Sequence, residues 1–169
     1  MHLFVKTYGS TTFSDVGNAI SGPDGSFTLT TPPLWQNASL RLDYLGDPSH
    51  DASSSGVWEV PVMGGSSIAV SDHSPRVHQR IVVRGRTLPS RAGRRISVWS
   101  GLRPCWCDAF PGPGTPAPKR LAHAVVRTDG SYRLVVRFST PGRKRIYALV
   151  GQGDGLIASV SRYRHLRVG

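Results

Sequence analysis

GPDGSFTLTTPP spans residues 22–33, and RTDGSYRLVV returns at 127–136. Both place Asp-Gly-Ser ahead of an aromatic-x-Leu alternation, about 105 positions apart. In the first stretch Phe27 and Leu29 share one face of an extended chain and Thr28 and Thr30 the other. In the second, Tyr132, Leu134, Val136 and Phe138 oppose Arg133, Val135 and Arg137. Period two is the strand period, and Asp-Gly supplies the positive φ that tight turns need. Each stretch therefore reads as a turn feeding a half-buried strand.

The similarity continues downstream. ASSSGVWEVPV (52–62) aligns with ASVSRYRHLRV (158–168), and LRLDYLGD (40–47) with RIYALVGQGD (145–154). Ordered matches at a shift near 105 imply a tandem repeat of a domain near 100 residues. The alternative is chance recurrence in a strand-rich chain. The second copy carries more ahead of its turn: RVHQRIVVRGRTL (76–88), RRISVWS (94–100), a Pro/Gly loop at 103–119 and RLAHAVVR (120–127). Six or seven strands at this spacing make a β-sandwich. About forty of these residues have no counterpart in the first copy.

Composition agrees. The 169 residues include 19 Gly and 13 Pro, and only 18% are charged. No window repeats apolar residues at helical spacing, so no helix longer than a turn or two is expected. The expected architecture is all-β: a partial sandwich at 1–63, truncated at its N-terminus, a linker at 64–67, and a complete sandwich at 68–169. Residues 1–63 hold two bases and six acids, whereas the remainder holds nineteen bases and four acids. Two units with separate surfaces follow from that contrast. No apolar run is long enough to span a bilayer, and MHLFVKTYGS at the start is too polar for a signal peptide.

At this point the chain resembles bacterial immunoglobulin-like repeats and the related carboxypeptidase-regulatory-like domains of actinobacterial surface and secreted proteins. The resemblance rests on YLGDPSHDASSS (44–55), TDGSYRLVVRFSTPGRKRIYA (128–148) and Trp106 before a central turn. His50 stands where those repeats usually carry Tyr. The resemblance implies a spacer, stalk or adhesion module outside the cell or on its surface. It brings no catalytic residues. A sandwich lacking its opening strands exposes an edge, which could recruit another chain by strand addition.

The chemical motifs are sparse. Cys105-Trp106-Cys107 offers two thiols one residue apart with no second pair, which suits packing better than zinc. The six histidines (2, 50, 73, 78, 123, 165) are scattered. GQGDG (151–155) lacks the following helix of a phosphate loop and reads as a hairpin turn. Asp47, Asp51 and Asp154 lack the spacing of a calcium loop. Hydrolase signatures are absent, so neither enzymatic activity nor a cofactor is expected.

The basic second half is the remaining candidate. Arg80 and Arg84 share a strand face, and Arg133, Arg137, Arg143, Lys144 and Arg145 add to the charge. Such a surface attracts cell-wall polymers or other polyanions, although base-specific nucleic-acid readout has no suitable element here. A surface biased to Arg without a dedicated partner is the simpler alternative. The other functional class is a carbohydrate-binding module in which Trp35 or Trp99 stacks on sugar rings.

Overall fold

The computed structural model describes residues 1–102 and 116–169. Every regular element among them is a strand. The chain divides into two compact units: Met1–Met63 with Asp154–Ile157, and Gly64–Gly153 with Ala158–Gly169.

The first unit is one antiparallel sheet. It contains β1 (His2–Thr7), β2 (Ser14–Asn18), β3 (Ala38–Tyr44), β4 (Ser53–Ser54) and β5 (Trp58–Val60). β1 lies between β2 and β3, and β4 and β5 both pair with the other edge of β3. Alternation sends Leu3, Val5 and Ala38 to one face, where Leu40 and Leu42 join them. Leu29 and Leu34 cover this face from a segment without strand structure. On the other face the Arg41 guanidinium lies 5.1 Å from the Phe4 ring centre and 4.9 Å from that of Phe13. It also donates through Nε and Nη2 to the two oxygens of Asp43, at 3.0 and 2.8 Å. This face is closed by a forked ion pair flanked by aromatic rings.

The second unit is a two-sheet sandwich. Its strands are β6 (Gly65–Ser66), β7 (Ala69–Val70), β8 (Ile81–Leu88), β9 (Arg95–Ser100), β10 (Lys119–Val125), β11 (Ser131–Val136), β12 (Gly142–Val150), β13 (Ser159–Val160) and β14 (Arg164–Val168). One sheet has the order β10-β9-β12, with β13 and β14 on the far edge of β12. The other has β11-β8, with β6 and β7 on the far edge of β8. Gly65–Ser66, read from sequence as linker, thus forms a short strand. The core draws Ile81, Val83, Tyr132, Leu134 and Val136 from one sheet and Ile96, Val98, Ile146, Ala148 and Val150 from the other. Residues alternating inward from both sheets are what a sandwich requires. The apolar face read for 131–138, Phe138 included, lies inward in full.

The hydrogen bonds of the two units correspond closely. In the first, the Gly25 amide donates to Gly22 O and the Gly22 amide to Ser26 O, at 2.9 and 2.8 Å. In the second, Gly130 donates to Arg127 O and Arg127 to Ser131 O, at the same two distances. Gly25 and Gly130 adopt φ of 80° and 78°, which a Cβ would oppose. Asp24 and Asp129 each accept from the amide of the serine two residues on, at 3.1 and 2.9 Å. Further along, Ser55 Oγ accepts from the Leu42 amide and donates to Gly56 O, while Ser161 Oγ accepts from Ala148 and donates to Arg162 O.

One expected strand does not form. Residues 26–30 keep the turn and the alternation but carry no strand structure. In the second unit the corresponding β11 pairs with β8, from Ser131↔Arg86 to Val136↔Ile81. Among the described residues of 1–63 nothing corresponds to β6, β7 or β8. Alternation marks which side chains turn inward, but a strand also needs a neighbour for its amides and carbonyls.

Candidate functional site

A concentration of like charge lies on the outer face of the sheet formed by β7, β8 and β11. Odd residues of β8 point into the core, so Val82, Arg84 and Arg86 point out. On β11 the inward set is Tyr132, Leu134 and Val136, leaving Ser131, Arg133 and Val135 outside. Pairing sets Arg84 directly opposite Arg133 and Arg86 opposite Ser131. Arg80 and Arg137 lie just beyond Ile81 and Val136, themselves paired, and continue the outward parity. Arg127 begins the turn ahead of β11.

A cavity of about 370 Å³ opens on this face, with Arg84, Arg86, Arg127 and Arg133 around it and Ala69 and Gly85 among its small lining residues. Gly85 is required there for a separate reason. A Cβ at that position would collide with the Ser67 carbonyl oxygen and with Tyr132 Oη. The same close approach lets Tyr132 donate to Ser67 O at 2.5 Å, which ties the edge to the core. Burial raises the Tyr132 phenol well above its usual range, so it stays a neutral donor.

The charges are poorly neutralised. Arg86 reaches Asp129 at 3.7 Å, and both side chains are largely exposed, so the pair is weak. The Asp129 carboxyl sits below its usual value chiefly through Ser131, with smaller help from Arg86 and Arg127. Arg84, Arg127 and Arg133 form no ion pair among the described residues. Like charges set directly opposite one another across paired strands are destabilising. An anion bridging them relieves that repulsion.

The other basic residues singled out in the sequence lie elsewhere. Arg143 and Arg145 sit on β12 in the opposite sheet, facing Arg167 and His165. The Arg145 guanidinium lies 5.7 Å from the Tyr163 ring centre. Lys144 pairs with Leu166 on the inward parity, and its ammonium donates to Thr140 Oγ1 at 2.9 Å. Consecutive residues of a strand cannot share a face, so the run 143–145 was never a single patch. Arg86 followed from the same alternation as Arg84, whereas Arg127 in its turn gave no signal.

The aromatic candidates separate as well. Trp35 is 69% exposed and Trp58 50% exposed, both in the first unit. Trp99 is half-buried, paired with Tyr147 and Arg120, and its indole nitrogen is enclosed. It offers no open ring for a sugar. Cys105, Trp106 and Cys107 lie outside the described residues. Among the described residues no three His, Cys, Asp or Glu side chains cluster as metal ligands. Among the described residues no helix is long and apolar enough to cross a membrane.

No protein-family model matches the chain. No curated protein matches it. Among solved structures it is similar to a chitin binding domain from Burkholderia pseudomallei, with 15% identity and a TM-score of 0.40. The match covers 59% of this chain and 57% of that one, so this chain spans little more than half of that structure's length. A superposition this loose supports no inference about a ligand. The chain is an all-β protein whose second unit is a two-sheet sandwich.

Proposed function

We propose that the chain is a non-catalytic module of a secreted or cell-surface protein, one that holds anionic polymers on the outer face of β8 and β11. The supporting observation is the groove ringed by Arg84, Arg86, Arg127 and Arg133, in which Arg84 and Arg133 form no ion pair among the described residues. The sandwich contributes rigidity, and the arginines contribute contacts to sulfate, phosphate or carboxylate groups of a cell-wall polymer or similar polyanion. Placement outside the cell rests on the resemblance to surface-protein repeats. Four neutralised charges give a log–log salt slope of roughly −3 to −4.

The test is elution from immobilised heparin under a salt gradient. Arg84→Ser with Arg133→Ser removes two charges from the groove, and Arg143→Ser with Arg145→Ser removes two from the other sheet. The groove pair lowers the eluting salt concentration more than the control pair. Equal shifts would reduce the interaction to net charge. Elution with a neutral protein at low salt would remove the reading altogether.

A second reading has its own observation: the open rings of Trp35 and Trp58. Exposed aromatic faces suit stacking on sugars. Saturable change in tryptophan emission with a neutral polysaccharide, lost in Trp35→Ala with Trp58→Ala and kept in the groove variant, would select it.

A further inference from the structure

We propose that residues 26–31 of the first unit form a docking edge for a β-strand supplied from outside residues 1–63. The donated strand runs antiparallel to them, apolar on its inward residues and basic on its outward ones. The second unit supplies the template. Four pairs of the β1–β3 ladder, His2↔Asp43, Leu3↔Leu42, Phe4↔Arg41 and Val5↔Leu40, match Ser97↔Leu149, Val98↔Ala148, Trp99↔Tyr147 and Ser100↔Ile146 of the β9–β12 ladder. All four keep one offset on each strand. With the shared Asp-Gly turn and the shared serine bridge, this aligns 26–31 with β11.

In the second unit β8 covers β11, and Tyr132 is 2% exposed. The first unit has no strand in that position among its described residues, and Phe27 is 38% exposed. Leu29 already packs on the small core of Leu3, Val5 and Ala38. An added strand would extend that core and pair the amides and carbonyls of 26–31. Charge defines the occupant further. Asp129 faces Arg86 of β8, and its counterpart Asp24 bonds only to its own turn at Ser26 among the described residues. Residues 1–63 carry two bases against six acids. A strand resembling QRIVVRGRTL, residues 79–88, meets each condition: Ile81 and Val83 inward, Arg84 and Arg86 outward.

The experiment adds a synthetic peptide of residues 79–88 to the full chain and follows amide hydrogen exchange by residue. Slowing of at least about tenfold at 27–31, with 131–136 unchanged, is the expected result. Asp24→Arg weakens the apparent affinity by about two- to fivefold, the range of an exposed ion pair. Protection confined to the second unit would mean the peptide merely exchanges with β8. That result, no protection anywhere, or equal protection by a scrambled peptide would overturn the proposal.

Discussion

Arg84 of β8 and Arg133 of β11 stand directly opposite one another on the outward face of their sheet, with no acid between them. Like charges in this cross-strand position cost a few tenths to about 1 kcal/mol. A fold rarely benefits from such a pair, so its stability should rise when the pair is broken. Arg133→Thr is expected to raise the denaturation midpoint by that amount while lowering heparin retention. A variant that loses both stability and retention would show that Arg133 serves packing instead.

Gly85 marks where the edge strand meets the core. Gly85→Ala drives a methyl group against the Ser67 carbonyl and Tyr132 Oη. The expected cost is about 1–3 kcal/mol of overpacking, with part of the Tyr132 hydrogen bond lost as well. Gly151 has open space around its position and no positive φ, so Gly151→Ala should be neutral or stabilising by up to about 1 kcal/mol. Urea midpoints of the two variants decide the matter.

Ser161 and Ser55 make the same bridge in different surroundings. Ser161 Oγ satisfies the buried amide of Ala148, whereas Ser55 Oγ serves the part-buried amide of Leu42. Ser161→Ala should cost about 1–3 kcal/mol, because the orphaned amide loses its partner away from water. Ser55→Ala should cost less, since water reaches the Leu42 amide more easily. Equal costs would mean that the burial difference has no energetic weight.

Asp47 anchors the turn at 47–50. Tyr44 Oη, the Ser49 amide and His50 all bond to its carboxylate, which lowers its pKa from 3.8 to about 2. A depressed carboxylate contributes above its unfolded pKa and loses that contribution as pH falls through the folded one. The turn should therefore loosen between about pH 4 and pH 2, read as a lower protection factor, relative to the intrinsic rate at each pH, of the His50 amide that bonds to Asp47 O. In Asp47→Asn this step disappears, and exchange is already fast at neutral pH.

The sandwich of the second unit was legible because its signals are local and mutually consistent. Asp129-Gly130 fixes a turn, and Tyr132, Leu134, Val136 and Phe138 name the inward face. The same signals misled at 26–30. Turn chemistry and alternation are present there, but the partner corresponding to β8 is not, and no local pattern reports a missing neighbour. The basic site was legible to the same depth. Parity joins Arg84 to Arg80 and Arg133 to Arg137, while the pairing of those strands is a long-range fact. Arg143, Lys144 and Arg145 are adjacent in sequence, yet pairing across β12 and β14 sends them to another sheet.

The termini of the second unit have a mechanical consequence. Gly65 pairs with Leu88 at the final residue of β8, whereas Gly169 exchanges hydrogen bonds with Pro75 and Val77 ahead of its first. Gly65 thus lies at one end of β8 and Gly169 near the other. Tension drawn between those points runs along β6 and β14 and not across them. Ladder hydrogen bonds lie perpendicular to their strands, so such a pull shears a row of them together and cannot peel them singly. Two ladder pairs hold β6 and five hold β14, so the β6 end is the one to yield first.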